Sequence, residues 1–333
     1  MILDDEEPVS TTPAVIPTSR IVDRLADATG VLVVDASNLA WRSNFAYGDL
    51  KTSDGRPSGH VFGSFRLILA ALDNHLLPGS WLLCFCYDGV DAKADRQALL
   101  PTYKGNRDPS RFNPCPDVAA ALRELPGIHI EHPRREGDDA LAWAAETMVA
   151  NGRKVVVLSA DKDTWPLLRF EGVSIFSPTY DRYVTPADIE KRFYAPWPMA
   201  VPLAKALFGD PSDGIKGVDR LFKKHVIPHI FTHGPDGLDS FLEAAISAPD
   251  AVTPPKTKLK LQENRDIIER NLCVITPDIS GFDRSTVQRV AWNPEQRGRL
   301  ADVFRNYESA VLMSRLQDFS GVSFPVEFEH EDS

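Results

Sequence analysis

Three short runs of apolar, β-favouring residues in this chain each lead into aspartate, and no other feature restricts its fold as much. Gly30-Val-Leu-Val-Val34 is followed by Asp35, Trp81 to Tyr87 by Asp88, and Lys154 to Leu158 by Ser159-Ala-Asp-Lys-Asp163. Runs without polar alternation suit strands buried on both faces, the condition of a parallel sheet covered by helices. The segments between them supply the helices. Val61, Phe62, Phe65, Ile68, Leu69 and Leu72 recur at helical spacing from His60 to Leu77, ahead of Pro78-Gly79. Asp117 to Leu125 lies between Pro116 and Pro126-Gly127, and Asp138 to Ala150 stops at Asn151-Gly152. Ile128 to His132 alternates as a further strand. The reading is α/β, a mainly parallel central sheet with helices on both faces over residues 30–195. In such folds ligands sit beyond the carboxyl ends of the strands, where these aspartates fall.

From about Pro196 the strand signals cease and helix-and-turn segments follow, so residues 196–325 read as a helical subdomain with a linker or loop at Pro249 to Lys260. Residues 1–29 open on the acidic cluster Asp4 to Glu7, lack the basic and apolar regions of a secretory signal, and read as a disordered tail. Residues 326–333 read as an acidic tail. Apolar runs such as Leu67 to Leu72 fall short of the roughly 20 residues that cross a bilayer, so no membrane partner is expected. Cys84, Cys86, Cys115 and Cys273 contain no Cys-x-x-Cys pair and read as reduced packing residues of a cytoplasmic protein.

Nine carboxylates fall at strand ends, helix starts and tight turns: Asp35, Asp88, Glu136, Asp138, Asp139, Asp161, Asp163, Asp210 and Asp213. Taken singly, each has an ordinary reading as a helix cap or turn residue. Jointly they do not, because so many anions on one sheet edge cannot stay ionised without a compensating cation. Donors that are all oxygen select hard ions, Mg²⁺ or Mn²⁺. Two such ions would clamp the attacking and leaving oxygens of a displacement at phosphorus. The formal charge of −10, from 37 basic and 47 acidic residues, argues at first against nucleic acid. Setting the nine site carboxylates aside leaves −1, and room for a basic track.

Leu99-Leu-Pro-Thr-Tyr-Lys-Gly-Asn-Arg107 is a candidate track, gathering Lys104, Arg107 and Arg111 around the aromatic Tyr103. On its own the segment reads slightly better as a solvated loop with chance charges. His225, His229 and His233 fall four apart, but Pro228 and Gly234 interrupt any helical metal face, so they read as structural.

Val34-Asp-Ala-Ser-Asn-Leu39, Tyr87-Asp88, Leu100-Pro-Thr-Tyr-Lys-Gly-Asn-Arg107, Glu136-Gly-Asp-Asp139, Ser159-Ala-Asp-Lys-Asp163 and Gly209-Asp-Pro-Ser-Asp-Gly-Ile-Lys-Gly-Val218 follow one another in order. In this the chain resembles, over roughly residues 30–250, the 5′-nucleases: phage 5′-3′ exonucleases, flap endonucleases and the 5′-nuclease domain of bacterial repair DNA polymerases. The resemblance implies a metal-dependent phosphodiesterase acting near 5′ ends of branched or nicked DNA, with RNA–DNA hybrids as further partners, by a two-metal-ion mechanism in a monomer. It places Asp35, Asp88, Glu136, Asp138 and Asp139 around one ion and Asp161, Asp163, Asp210 and Asp213 around another. Lys104 and Arg107 would stand over the scissile phosphate, and the arch near residues 99–116 would be short. A helix-three-turn-helix follows Gly217-Val218 in the family, with a Gly-Ile-Gly type turn. Here the sequence is Asp219-Arg-Leu-Phe222, so Lys216, Arg220, Lys223 and Lys224 would meet the duplex through side chains instead. Two rival readings are a PIN-type ribonuclease and a DNA-binding accessory protein of the same fold.

Overall fold

The computed structural model describes residues 30–322 apart from 75, 77–80, 109 and 234–236. The two tails and the Pro78-Gly79 helix stop expected from sequence lie outside the described residues. Five strands run parallel: β1 (Gly30–Asp35), β2 (Trp81–Cys86), β3 (Gly127–Ile130), β4 (Lys154–Leu158) and β5 (Val173–Ser177). Two edge strands, β6 (Arg182–Tyr183) and β7 (Val287–Val290), pair antiparallel to β5 and β3. The order β6-β5-β4-β1-β2-β3-β7 puts β1 at the centre. From β1 the chain winds outward to β2 and β3, then returns to the other side for β4 and β5. The carboxyl ends of β1 and β4 therefore flank the topological switch point, where open α/β sheets leave a crevice.

Alternate residues of the strands serve two cores. Val31, Val33, Cys84 and Val157 pack on one face with α5 (Gly137–Ala150), α7 (Ala200–Phe208), α9 (Leu238–Ser247) and α11 (Arg265–Ile275), through Leu141, Leu207, Phe241 and Ile268. Leu32, Val34, Phe85 and Leu158 pack on the other with α1 (Ala36–Tyr47), α2 (Gly59–Asn74), α4 (Cys115–Leu122) and α12 (Pro294–Asn306), through Leu39, Phe65, Leu122 and Phe304. Each such side chain contributes about 1.5–3 kcal/mol by leaving water. A one-residue slip would reverse both faces, so the same burial fixes the register that delivers Asp35 to the sheet edge. Cys84 and Cys86 are free thiols in the core. The remaining helices are α3 (Ala94–Leu99), α6 (Pro186–Phe193), α8 (Ile227–His233), α10 (Pro255–Glu263) and α13 (Ala310–Ser314).

Two expectations for the C-terminal region need correction. The stretch read as a linker at 249–260 contains the start of α10, where Pro255 at the helix start costs no hydrogen bond and Thr257 and Leu261 bury one face. The region read as wholly helical also returns to the sheet. β7 was invisible because it is four residues long, half exposed and paired on one side. Beyond it, Phe304 and Phe319 meet Phe65 edge to face at 5.0 and 5.9 Å, so residues 287–319 close the α/β core. His229 is buried, its Nε2 2.7 Å from Thr253 Oγ1, and has a packing role.

Candidate metal centre

The chain turns at Asp35 because its carboxylate caps α1, accepting from the Asn38 amide at 2.9 Å. Ser159 Oγ, just past β4, donates to the same carboxylate at 2.8 Å, and Asn38 Oδ1 accepts from the Ala160 amide at 2.8 Å. These bonds lace the two strand ends together. Asp161 caps the 3₁₀ turn Lys162–Arg169, so Asp161 and Asp163 face the same crevice. Asp88, after β2, accepts from Ser37 Oγ and from the Gly137 amide, both at 2.6 Å, which docks the N-terminus of α5 and brings in Asp138. Burial pushes the Asp35 carboxyl up to about 7; the bonds from Asn38 and Ser159 oppose this, while Asp161 and Asp88 add repulsion. Burial, with Asp161 and Asp35 nearby, raises Asp138 well above the usual carboxylate range. Among the described residues, Asp35, Asp138 and Asp161 form no ion pair with a Lys or Arg side chain.

Their neighbours are compensated. Arg96 of α3 grips Asp139 with two bonds, at 2.8 and 2.6 Å, reaches Glu136 at 3.0 Å and donates to the Val274 carbonyl. Asp139 also accepts from the amides of Glu136 and Asp278. Glu136 accepts from Tyr103 Oη and Lys104 Nζ, both at 2.6 Å. Burial raises the Glu136 carboxyl, but Lys104 and Arg96 outweigh it and hold the group below its ordinary range. Lys205 of α7 bridges Asp163 and Asp210. Burial still pushes Asp163 up to about 6, with Asp161 beside it, whereas the Lys205 and Ser212 bonds keep Asp210 low against its own burial. Arg107 meets Asp213 at 3.2 Å.

The basic segment is anchored to the acidic turn. Lys104 N donates to the Asp213 carbonyl at 2.8 Å, Thr102 Oγ1 to the Gly214 carbonyl at 2.9 Å and Asn106 Nδ2 to the Pro211 carbonyl at 2.9 Å. Gly214 is required there: it sits at φ +70, and a Cβ would stand 2.2 Å from the Thr102 carbonyl oxygen.

Eight of the nine carboxylates picked from sequence thus surround one crevice, and Asp163, Asp210 and Asp213 offer oxygens within 4.8 Å of one another. Asp139 does not join them. It is fully buried and spent on Arg96, which removes it from the set expected around the first ion. Glu136 is half removed in the same sense, since both its oxygens accept from cations or a phenol. Tyr103, the aromatic of the candidate DNA-binding track, is 4% exposed and works instead as a strut for Glu136. Arg111 lies over the Trp41 ring at 4.9 Å. Lys216, Arg220, Lys223 and Lys224 form an exposed basic turn, in which Arg220 takes the left-handed conformation (φ +50) that glycine favours and Lys223 lies over Tyr194 and Phe208. Arg96, Lys205, Ser37, Asn38 and Ser159 are the residues that the sequence reading missed.

All-oxygen donors, with four carboxylates (Asp35, Asp88, Asp138 and Asp161) in no ion pair among the described residues, fit a hard divalent metal ion. Beside them opens a cavity of about 450 Å³ lined by Lys104, Arg107, Lys162, Arg192 and Lys205 together with Asp138, Asp161, Asp163, Asp210 and Asp213.

Residues 30–194 match the family model described as 5′-3′ exonuclease, N-terminal resolvase-like domain. The chain is 30% identical over 206 residues to the 5′-3′ exonuclease of Aquifex aeolicus, covering 61% of this chain and 69% of that protein. It is 34% identical over 200 residues to the thermostable DNA polymerase I of Thermus thermophilus, covering 58% of this chain but 23% of the polymerase. The 5′-exonuclease of phage T5, in a structure with zinc bound, shares the fold with a TM-score of 0.55 at 18% identity, over 88% of this chain and 98% of that one. With these matches and an acidic crevice at the switch point of its sheet, the chain belongs to the 5′-3′ exonuclease family.

Proposed function

We propose that the chain is a divalent-metal-dependent 5′-nuclease that hydrolyses DNA phosphodiesters near 5′ flaps, nicks and free 5′ ends, or in RNA–DNA hybrids, leaving a 5′-phosphate and a 3′-hydroxyl. The observation that carries this reading is a group of neighbouring carboxylates in no ion pair among the described residues, Asp35, Asp88, Asp138 and Asp161, of which Asp138 and Asp161 line one cavity with Lys104 and Arg107. Asp35, Asp88, Asp138 and Asp161 would hold one Mg²⁺ or Mn²⁺, and Asp163, Asp210 and Asp213 another. When bound, such ions lower the pKa of an attacking water and neutralise charge on phosphate oxygens.

The protein's own contribution is preorganised positive charge. Lys104 is nearly buried, and although burial opposes its charge, Glu136, Tyr103 and Asp213 keep its ammonium protonated far above neutral pH. Tyr103 and Arg96 hold Glu136, and Glu136 holds Lys104, so this cation needs little reorganisation as charge develops on the phosphoryl oxygens. Arg107, about half exposed, can leave Asp213 to meet the substrate. The exposed turn of Lys216, Arg220, Lys223 and Lys224 would follow the duplex backbone.

The test uses a 5′-flap duplex labelled at each end in turn, incubated with Mg²⁺ or EDTA, with wild type and the double variant Asp161→Asn/Asp163→Asn. Metal-dependent cleavage at the junction or stepwise from the 5′ end, lost in the variant, supports the reading. Tight binding without cleavage in Mg²⁺ and Mn²⁺ would favour the accessory protein instead.

A further inference from the structure

The five cations of the 450 Å³ cavity divide into two kinds. Lys104, Arg107 and Lys205 are each paired with a carboxylate: Glu136, Asp213, and Asp163 with Asp210. Lys162 and Arg192 are not: among the described residues neither side chain makes a hydrogen bond or an ion pair, although Lys162 lies near enough to feel Arg192, Asp161 and Asp163. They come from different elements, Lys162 from the 3₁₀ turn after β4 and Arg192 from the last turn of α6, yet face one cavity. Two like charges on separate elements repel when nothing lies between them. An unpaired ammonium and guanidinium in one cavity suit a tetrahedral anion despite the carboxylates beside them, the guanidinium by bidentate hydrogen bonds and the ammonium as a point charge.

We propose that Lys162 and Arg192 form a phosphate site of the DNA, distinct from the carboxylate-paired Lys104 and Arg107 of the same cavity. The assignment rests on the nuclease reading for the identity of the polymer, and the occupant is one phosphate group, either an internal phosphodiester or a terminal 5′-phosphate.

The test measures the equilibrium Kd of a 5′-flap duplex in EDTA, at several salt concentrations, for wild type, Lys162→Ala, Arg192→Ala and Arg192→Lys. The KM and kcat of cleavage in Mg²⁺ follow, and each substrate carries a 5′-phosphate or a 5′-hydroxyl. Arg192→Ala should weaken binding about tenfold, the worth of one charge-assisted contact. It should also lower the slope of log Kd against log salt by about 1, raise KM more than it lowers kcat, and be partly rescued in Arg192→Lys. An equal loss with both ends assigns an internal phosphodiester; a loss confined to the 5′-phosphate substrate assigns the terminal group. Unchanged Kd and salt slope on both substrates, with Lys162→Ala altering only the melting temperature, would overturn the proposal and leave Lys162 as a counter-ion of Asp161 and Asp163. Because Kd is read without metal, a wild type that binds but never cleaves refutes the nuclease reading while the phosphate site is still decided by the Kd ratios.

Discussion

The two halves of the acidic crevice hold similar numbers of carboxylates under opposite electrostatic regimes. Around Arg96, Lys104 and Lys205, the anions Glu136, Asp139, Asp163 and Asp210 are paired within the protein. Around the ends of β1, β2 and β4, Asp35, Asp88, Asp138 and Asp161 make no ion pair among the described residues; hydrogen bonds hold Asp35, Asp88 and Asp161, and Asp138 feels Lys104 only at longer range. The first half is a scaffold that is complete when the chain folds. The second has no internal cation, so under the proposed function its charge is balanced by what binds; Asp163 and Asp210 belong to both, because Lys205 pairs them in the metal-free protein where the second ion is proposed.

Substitutions should therefore have opposite signs in the two halves. Asp138→Asn removes a repelled, buried charge, so the metal-free protein should melt at a higher temperature, while turnover should fall about 10²–10³-fold or more as a principal electrostatic contact is lost. Asp139→Asn should destabilise by about 3 kcal/mol, because it removes the two-bond carboxylate partner of the buried Arg96 and leaves Glu136 as its one anion. Denaturant titrations of both variants in EDTA decide the matter; destabilisation by Asp138→Asn would erase the distinction.

The pH dependence follows from the same contrast. Asp35 and Asp163 titrate at about 7 and about 6 in the folded protein against 3.8 ordinarily, so the native state binds more protons than the unfolded chain between those values. That contribution to stability is full below about pH 4 and is lost as pH rises through 6 and 7. Melting in EDTA should accordingly drop between pH 5 and 8, and Mg²⁺ should flatten the curve. Glu136 and Asp210, whose carboxyls are held low, act in the other direction and make the protein fail in strong acid. A smaller effect is expected from Lys205→Met. Freeing Asp163 and Asp210 from their internal cation should enlarge the rise in melting temperature produced by Mg²⁺, by about 1 kcal/mol or less in stability terms. An unchanged Mg²⁺ response would show that Lys205 does not occupy a metal position.

What was legible in the sequence depended on how far away the determinants lay. β1, β2 and β4 are buried on both faces, so their apolar runs carry the signal themselves, and the aspartates after them are fixed by chain direction alone. β6 and β7 are two and four residues long and gain their structure from one neighbour, which leaves no pattern. Arg96 and Lys205 sit in helices where charged residues usually meet water; only the approach of Asp139 from α5, and of Asp163 from the far side of β4, buries them. Tyr103 beside Lys104 has the composition of a nucleic-acid contact, yet the segment folds under and turns the phenol toward Glu136. The altered turn was visible as missing glycines, but not that Arg220 would take the left-handed backbone in place of one.

The proposed function requires Asp35, Asp138 and Asp161 to take up a divalent cation. It is tested most directly by titrating Mg²⁺ into the protein at pH 6.5 calorimetrically, in two buffers of different ionisation enthalpy. Asp35, pushed up to about 7, and Asp138, raised well above its ordinary range, must give up protons to bind metal, so binding should release about one proton or more, reduced in Asp35→Asn. Mg²⁺ binding with no buffer dependence, or no binding at millimolar metal, would contradict it.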